Sequence, residues 1–545
     1  MAGRVFVYGL DGVPLWFLRD AAEKGYIKNI SRLMDTGVYG ILNAIPPINT
    51  PPNWYSAFTG VDPGVHGIIG FYTLDNQYKV KYFSARDRKI DPVWVIVSRY
   101  GKRSIIVNVP LTYPPDNING YMVSGEDRYG PPTEEHVHPK SIYNLVRDSG
   151  YQIGIPLKGP IDNALKQLYD NLSRRGEVTR SLMERSEWDL TIVVYREPDF
   201  IMHKFLGLDN ASGGEESAKK KYSKVPYEIL SKLDDELGKY MEYLDEDDHI
   251  IIMSDHGHKP KKLSFSINLF KARNGLLKIK YAKKRKKLIN LGTLRRIGFL
   301  RWIWYKLSYN TRYRIKSLLL KIAELDKGID PSVVDWSRTK AICYMKPGAI
   351  KINLIGRDKD GTVSINEYDE VVAEIKRMLL GENDRWIREY NMPMLRGVYS
   401  VKEVYREYDD PLYPDLFIIP HEDVVLNIQF YGDSIVNEVK TNLTLNTPFH
   451  AIRDVSDHVP EGVYIMNGPA FNRMGLGPSL NMMDIALFIL YLLNLPIPSY
   501  MQGTLNKDIL RRDWIEGRPV RMFESRRFKI RTRIRGIRRK FHGNI

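Results

Sequence analysis

Short apolar runs alternate with longer amphipathic stretches along most of the chain. Stretches such as Ile161 to Arg185 and Tyr227 to Leu244 place apolar residues at helical spacing. Four runs between them are continuously apolar and rich in β-branched residues, as in strands buried on both faces: Val5 to Leu10, Ser104 to Pro110, Asp189 to Tyr195 and Asp248 to Ser254. This alternation predicts an α/β fold with a mostly parallel central sheet and helices on both faces.

The alternation breaks between residues 281 and 329. Apolar residues repeat there at helical spacing among Arg and Lys, first at Ile297, Leu300, Trp304 and Leu307 and again at Ile315, Leu318, Ile322 and Leu325. This pattern predicts an inserted basic helical cap over the core. The sequence therefore divides into a core of residues 1–280 and 330–510, a cap of residues 281–329 and a C-terminal tail of residues 511–545.

The net charge of +16 is concentrated in two segments. Residues 283–325 contain thirteen Lys or Arg against one acidic residue, and residues 511–545 contain thirteen against three. In the tail, Ile530, Ile534, Ile537 and Phe541 lie at helical spacing among arginines. That arrangement is typical of an amphipathic helix on an anionic membrane surface or of an arm that binds nucleic acid. The alternative is a solvated end that docks on the acidic body.

The sequence also gives an expectation for cellular location. No run of eighteen apolar residues occurs, and the first apolar run has the pattern of a core strand rather than of an export signal. A single cysteine, Cys343, cannot form an internal disulfide and fits a reducing compartment. We expect a cytoplasmic protein, peripheral at the membrane if its tail binds lipid.

Candidate catalytic residues follow the predicted strands, where ligands of open α/β sheets bind. Taken singly, an Asp after a strand is more often a turn or cap residue, and a lone His is more often structural. The chain, however, combines carboxylates and imidazoles in several such places: Asp11, Asp199 and His203, Asp255 and His256, and His458. Carboxylate and imidazole ligands together favour zinc, manganese or iron over magnesium or calcium.

Thr50 adds a hydroxyl to this set. It stands before two prolines and is expected to begin a helix, whose free N–H groups and positive end favour a bound phosphate oxygen. A threonine hydroxyl is a poor nucleophile until coordination to a metal lowers its pKa. The set therefore predicts metal-assisted chemistry on a phosphate ester.

These motifs resemble the type I phosphodiesterase/nucleotide pyrophosphatase family of the alkaline phosphatase superfamily, and most closely its prokaryotic phosphodiesterase-like branch. The resemblance rests on INTPPNWYSAFTGVDPGVHGI, on GLDG, on DHG and on SDHVPEGVYIMNGP, in the family's chain order. It covers roughly residues 1–280 and 336–500, outside the inserted segment and the tail. It implies an alkaline-phosphatase-like fold and hydrolysis of phosphodiester or pyrophosphate bonds.

The resemblance also assigns roles to single residues. It implies one metal on Asp199, His203 and His458, and a second on Asp11, Asp255 and His256, with Thr50 at its open position. The metals implied are two divalent cations, zinc first and manganese as the alternative. Thr50 would attack phosphorus to form a phosphothreonine, which water would then hydrolyse.

One position departs from the family's pattern. Nucleotide-cleaving members often have an Asn after the HGI segment, whose amide holds a phosphate oxygen, and this chain has Phe71 there. Asn53, near the nucleophile, is a candidate substrate-binding donor in its place, or else it packs within the turn. His258 and Lys259, after the DHG motif, are further candidates to face substrate, although surface placement is favoured for Lys259. The expected substrate is a small or lipid-linked phosphate ester.

Two alternative functions are open at this level. A phosphoryl-group transferase would use the same threonine with an alcohol in place of water. A non-catalytic relative would keep the fold and bind membrane or nucleic acid through its basic segments. The complete set of ligands and the nucleophile argue against the second alternative, because a decayed site loses such residues. The sequence does not fix an oligomeric state.

Overall fold

The computed structural model of the chain describes residues 3–125, 130–155, 157–280, 330–408, 411–430 and 434–524. Its strands are β1 (Val5–Leu10), β2 (Val38–Asn43), β3 (Tyr72–Leu74), β4 (Val80–Tyr82), β5 (Ser104–Val107), β6 (Gly120–Val123), β7 (Val137–His138), β8 (Leu190–Tyr195), β9 (Ser212–Gly213), β10 (His249–Met253), β11 (Gly257–Pro260), β12 (Leu263–Ser266), β13 (Ala341–Met345), β14 (Ala349–Ile352), β15 (Leu395–Ser400), β16 (Leu416–Pro420), β17 (Val424–Asn427), β18 (Val436–Glu438), β19 (Lys440–Thr441), β20 (Ser456–Val459), β21 (Glu461–Asn467), β22 (Gly475–Leu476), β23 (Leu480–Asn481), β24 (Ile497–Pro498) and β25 (Met522–Phe523). Its α-helices are α1 (Leu15–Glu23), α2 (Lys28–Thr36), α3 (Thr50–Thr59), α4 (Pro63–His66), α5 (Val93–Arg99), α6 (Tyr143–Asp148), α7 (Ile161–Arg185), α8 (Glu197–Phe205), α9 (Glu216–Tyr222), α10 (Val225–Met241), α11 (Ile267–Arg273), α12 (Tyr368–Tyr390), α13 (Val401–Val404), α14 (Asp484–Leu492) and α15 (Arg512–Gly517).

The central sheet has the strand order β22-β2-β21-β10-β1-β8-β5-β6-β7, with β23 paired to β2. Its middle strands β10, β1, β8, β5 and β6 are parallel to one another. The long strand β21 lies between β10 and β2 and is antiparallel to both. The predicted α/β class, with a mostly parallel central sheet, is confirmed.

The side chains of β1 show why this sheet is covered on both faces. Phe6 and Tyr8 point into a core that they share with α1, α2, α7, α8 and α10. Val5 and Val7 point the other way, into a core that contains residues of α3, α5 and α14. Successive side chains of a strand alternate between faces, so a continuously apolar run requires an apolar partner layer on each side.

One predicted strand is shorter than its apolar run. The run from Ser104 to Pro110 gives a strand that ends at Val107. Asn108 has a φ of 60° and leaves the extended conformation, while its side-chain amide donates to the carbonyl of Val194. Asn tolerates the left-handed region better than most residues, so the chain turns here.

A second, smaller sheet lies C-terminal to the inserted segment. Its order is β13-β14-β16-β15, all antiparallel, and α12 packs against β15. The turn between β13 and β14 carries Lys346 and Pro347. The side-chain amide of Asn49 donates to the carbonyl of Lys346 over 3.4 Å, so this turn lies against the residue that precedes Thr50.

The two basic segments are described only in part. The predicted cap of residues 281–329 and the apolar positions Ile530 to Phe541 of the tail lie outside the described residues. Residues 511–524 pack on the core, where β25 pairs with β24 and the amide of Arg511 donates to the carbonyl of Ala470. None of the described helices combines the length and the apolar composition needed to cross a bilayer. The proposed division into core, cap and tail stays a prediction.

Candidate active site

The first group of site residues surrounds the start of α3. Asp11 directly follows β1, and Asp255 and His256 follow β10, so all three lie at the carboxyl edge of neighbouring parallel strands. The Nε2 atom of His256 lies 3.7 Å from Oδ1 of Asp11 and 3.4 Å from Oδ2 of Asp255. Thr50 is the first residue of α3, as predicted, and its Oγ1 lies 3.4 Å from the same Nε2 atom.

The second group consists of Asp199, His203 and His458. Asp199 and His203 lie one turn apart on α8, which begins two residues after β8 ends. His458 lies on β20. This strand pairs with β11, which begins at Gly257, the glycine of the DHG motif. Oδ1 of Asp199 lies 3.5 Å from Nε2 of His203 and 3.3 Å from Nε2 of His458, and the two Nε2 atoms are 3.1 Å apart.

These separations suit cation ligands. Ligand atoms about 2.1 Å from a tetrahedral cation lie roughly 3.4 Å from one another. Moreover, Oδ1 of Asp11 and Oδ2 of Asp255 are buried and accept no hydrogen bond from the described residues. Buried carboxylate oxygens without partners are costly, and a divalent cation would satisfy both. The residues present therefore fit metal binding.

Three imidazoles of the site are held with the same nitrogen toward its centre. Nδ1 of His203 lies 3.1 Å from the carbonyl of Ser456, and Nδ1 of His458 lies 3.0 Å from that of Ile48. Nδ1 of His256 lies 3.2 Å from the carbonyl of Gly257. A carbonyl only accepts, so each Nδ1 carries the proton and each Nε2 presents its lone pair to the site.

The electrostatics of the two groups differ. Burial, and next the neighbouring carboxylate of Asp11, raises the pKa of Asp255 well above its usual range. Burial likewise raises the pKa of Asp11 to about 7, against the opposing effect of Arg196. For Asp199, burial would raise the pKa, but the surrounding imidazoles outweigh it and hold the pKa well below the usual value. A bound cation would therefore relieve a larger electrostatic penalty in the first group than in the second.

Burial also sets the state of the imidazole of His256. Its pKa is lowered well below the ordinary value, first by burial and then by His458, whose ring stacks on it at 3.7 Å between centroids. Only the neutral imidazole can act as a metal ligand, so this shift favours ligation.

Asn53 does not face the site. Its side-chain amide lies within donor distance of the carbonyls of Ile45, Pro47 and Asn49, and its Oδ1 accepts from the amide of Ile45. The residue is fully buried, and its hydrogen bonds hold the loop before α3 in place. This placement agrees with the packing alternative for Asn53 rather than with a substrate donor.

Sequence reasoning missed two polar partners of the carboxylates. The indole Nε1 of Trp54 and the Nε of Arg196 each donate to Oδ2 of Asp11 over 3.2 Å. The guanidinium of Arg196 lies between the rings of Phe71 and Phe200, at 5.4 and 5.0 Å from their centroids. The signal for Arg196 was its place directly before the EPD motif, at the end of a strand. Phe71 is thus a neighbour of the Arg196 guanidinium.

His258 was a candidate to face substrate, whereas Lys259 was expected at the surface. His258 is instead fully buried, with its Nε2 2.9 Å from Oδ1 of Asp199. Lys259 is more exposed, with its ammonium 5.4 Å from the ring centroid of Trp16.

A cavity of about 230 Å³ opens onto the second group. It is lined by His203 and His458 of that group and by Lys346 of the second sheet, together with Asp454 and Asp457. Two of the three predicted ligands of the second group, His203 and His458, therefore border a space large enough for a small polar molecule.

The α/β fold and the cluster of carboxylates and imidazoles at the edge of its sheet fit a metal-dependent phosphoesterase. The family model of type I phosphodiesterase/nucleotide pyrophosphatase matches residues 5–442. The chain therefore belongs to the type I phosphodiesterase/nucleotide pyrophosphatase family, whose members are metal-dependent hydrolases of phosphate esters.

A solved structure of low sequence identity shares this fold. Phosphonoacetate hydrolase from Sinorhizobium meliloti 1021, in complex with phosphonoformate, is 14% identical, with a TM-score of 0.52 over 90% of this chain and 96% of its own. An inactive form of murine ectonucleotide pyrophosphatase/phosphodiesterase 5, in complex with AMP, is 15% identical, with a TM-score of 0.47 over 93% and 100%. No curated protein sequence matches the chain. None of these comparisons supports a lipid, membrane or nucleic-acid partner.

Proposed function

We propose that the chain hydrolyses phosphodiester or pyrophosphate bonds in small phosphate esters through a phosphothreonine intermediate on Thr50. The observation that carries this proposal is the position of Thr50. Its Oγ1 lies 3.4 Å from Nε2 of His256 at the N-terminal end of α3, beside the buried carboxylates of the first group.

Two divalent cations complete the proposed site. Asp11, Asp255 and His256 would hold one of them together with Thr50, and the second group would hold the other. Zinc is the first candidate and manganese the second, because mixed carboxylate and imidazole ligands suit both. Bound there, the cations would act as Lewis acids that lower the pKa of a hydroxyl and neutralise charge on the phosphoryl group.

The proposed reaction consists of two successive displacements at phosphorus. Oγ1 of Thr50 attacks phosphorus as its proton goes to solvent, and the bond to the departing alcohol or phosphate breaks. The departing oxygen takes up a proton from solvent. The positive end of α3 favours the anionic phosphoryl group during this step. Water then attacks the threonine ester, which restores the hydroxyl and releases the second product.

The cavity bears on the class of substrate. Among the described residues it is lined by one amine, Lys346, by two carboxylates, Asp454 and Asp457, and by no aromatic ring apart from the two imidazoles. A nucleotide base usually stacks on aromatic side chains, so the lining gives no support for selective nucleotide binding. The cytoplasmic location expected from the sequence stays a prediction.

The test is turnover of bis-p-nitrophenyl phosphate by full-length protein, metal-free and then loaded with zinc or manganese. We expect metal-dependent release of p-nitrophenol by the wild type and a loss of at least about a thousandfold in kcat for Thr50→Ala, as is usual when a nucleophile is removed. Rapid acid quenching followed by peptide mass spectrometry should find a p-nitrophenylphosphoryl adduct on Thr50, since only one p-nitrophenol departs in the first step.

Thr59→Ala is the matched control. Thr59 is buried in the same helix, and its hydroxyl donates to the carbonyl of Tyr55, away from the site. Its removal should leave kcat within a few-fold of the wild type. Metal-loaded wild type that cleaves no diester and forms no adduct would overturn the proposal. An adduct that is discharged only when an alcohol is added would instead identify a phosphoryl-group transferase.

A further inference from the structure

A fourth imidazole lies in the site beyond the three predicted ligands. His258 is on β11, two residues after His256, and its side chain is fully buried. Antiparallel pairing of β11 with β20 places it directly opposite His458. Because backbone pairing fixes both strands, the His258 ring is held at the border of the second group.

Both ring nitrogens of His258 have polar partners. Nε2 lies 2.9 Å from Oδ1 of Asp199, and Nδ1 lies 3.0 Å from the hydroxyl oxygen of Ser456. A carboxylate binds a cation in its ionised form, and an ionised carboxylate oxygen can only accept a hydrogen bond. A neutral imidazole has one proton, which must therefore be on Nε2, while Nδ1 accepts from the serine hydroxyl.

This arrangement separates His258 from the three predicted imidazole ligands. In those residues Nδ1 faces a backbone carbonyl, which leaves Nε2 bare and directed at the site. In His258 a hydroxyl, which is able to donate, faces Nδ1, so Nε2 keeps its proton and donates it. Its role toward a cation is therefore indirect.

The loop that carries Asp11 is shaped around this ring. A Cβ atom on Gly12 would lie 2.9 Å from Cδ2 and 3.1 Å from Nε2 of His258, and 3.2 Å from Cα of Asp199. Gly12 also has a φ of +77°, which favours glycine. The glycine after Asp11, the imidazole of His258 and the start of α8 thus form one close-packed contact between the two groups.

We infer that His258 is a positioning residue, which orients the carboxylate of Asp199 for metal binding by donating from Nε2 to Oδ1. The inference rests on the proposed function, because it presumes a cation on the second group. Hydrogen bonds from a neighbouring residue to a ligand typically change metal affinity about 10- to 100-fold.

The test is zinc binding by the full chain, stripped of metal and titrated in competition with a chromophoric chelator. His258→Met removes the donor while it fills similar space. We expect it to weaken one of two zinc sites by about 10- to 100-fold and to leave the other unchanged. His258→Gln, whose side-chain amide can still donate, should recover part of this loss. Ser456→Ala, which frees Nδ1, should have a smaller effect in the same direction.

His249→Met is the matched control, since His249 is equally buried and lies in β10 without contact to Asp199. It should bind zinc as the wild type does. Cobalt-substituted protein provides a second readout, because the position and the intensity of its visible absorption bands report the coordination geometry. We expect the band of one site to change position in His258→Met while two cations per chain are still bound at saturation.

Three results would overturn the inference. His258→Met that binds both zinc ions with wild-type affinity would show that the hydrogen bond has no effect on the metal. Complete loss of one cobalt ion in both His258→Met and His258→Gln would identify His258 as a direct ligand. Equal weakening in His249→Met would show a general effect of core substitution. Wild type that binds no zinc at all would instead refute the proposed function.

Discussion

The indole Nε1 of Trp54 donates a 3.2 Å hydrogen bond to Oδ2 of Asp11 and so connects α3, which begins at Thr50, to the first group of site residues. Trp54 lies one helical turn after Thr50, so the two residues are on the same side of α3. A Cβ atom on Gly9 of β1 would lie only 2.6 Å from the indole. The rotation of α3 about its axis, and with it the direction of the Thr50 hydroxyl, is therefore set against β1.

The Trp54→Phe variant tests this connection. The phenyl ring fills most of the indole space but cannot donate to Asp11. We expect a loss of about 1–2 kcal/mol in the free energy of unfolding and weaker metal binding at the first group. Urea unfolding of the metal-free protein gives the first quantity, and zinc titration gives the second.

Trp94→Phe is the control for this prediction. Trp94 is also buried, and its indole donates to a carboxylate, that of Asp116, over 2.8 Å outside the site. It should lose similar stability and keep wild-type metal affinity. If both variants bound zinc as the wild type does, the hydrogen bond from Trp54 would not contribute to the metal site.

Much of the fold could be predicted from the sequence because the signals for its elements are local. The apolar run Val5 to Leu10 and the helical pattern Ile161 to Arg185 correspond to β1 and α7 with the same bounds. Asp11, Asp199 and Asp255 come soon after parallel strands, and parallel strands end at one edge of a sheet, so the convergence of these three needed only the topology. His458 instead lies within β20, whose pairing with β11 brings it to the site.

Features that depend on pairing between residues far apart in the sequence could not be predicted from it. Strand β21 lies between β2 and β10, an arrangement that no neighbouring residues specify. The contact between His258 and Asp199 joins positions 59 residues apart. These features follow from tertiary packing rather than from local periodicity.

Metal removal should lower stability, because the buried oxygens of Asp11 and Asp255 accept no hydrogen bond from the described residues. A cation present at about 100 times its dissociation constant adds about 2.7 kcal/mol to the free energy of unfolding. We therefore expect zinc or manganese to raise the thermal midpoint and a chelator to lower it. Differential scanning calorimetry at a series of metal concentrations measures this effect.

The Asp255→Asn variant tests whether Asp255 is a metal ligand. The variant removes a carboxyl whose pKa is raised by burial and by Asp11, so the metal-free protein should become more stable. Its stabilisation by added metal should fall at the same time, since a ligand is lost. A variant that lost stability without metal and still gained the full increment with it would contradict the assignment of Asp255 as a ligand.

Glu197→Gln should destabilise the protein strongly. Glu197 begins α8 and forms a bidentate ion pair with Arg175 at 2.7 and 2.8 Å, and both side chains are almost fully buried. Removal of one charge leaves the other buried without compensation, which typically costs about 3–5 kcal/mol. Urea unfolding measures the loss.

The exposed pair of Lys166 and Asp170 on α7 is the comparison for the buried pair. Asp170→Asn should cost less than about 1 kcal/mol, because exposed ion pairs are screened by solvent. Because α8 also carries Asp199 and His203, Glu197→Gln should weaken metal binding at the second group, whereas Asp170→Asn should not. Equal losses of stability in the two variants would contradict the role assigned to the buried pair.

Lys271→Met should stabilise the protein at neutral pH. Lys271 lies on α11 in the core beside the second sheet, and its ammonium has no hydrogen-bond partner among the described residues. Burial lowers its pKa from 10.5 to about 8. Below pH 8 the folded protein must hold a buried charge, which costs at most about 3 kcal/mol for a shift of this size.

The pH dependence of this effect has a definite sign. Between pH 8 and 10.5 the unfolded chain binds more protons at Lys271 than the folded chain does, so this residue makes wild-type stability rise with pH. The advantage of Lys271→Met should therefore be full below pH 8 and vanish as the pH approaches 10.5. Urea unfolding midpoints of both proteins across this range give the difference directly.

Lys262→Met is the control. At a side chain that is 72% exposed, it should change stability by no more than about 0.5 kcal/mol at any of these pH values. A difference between Lys271→Met and wild type that did not vary with pH would show that the amine is not buried in its charged form.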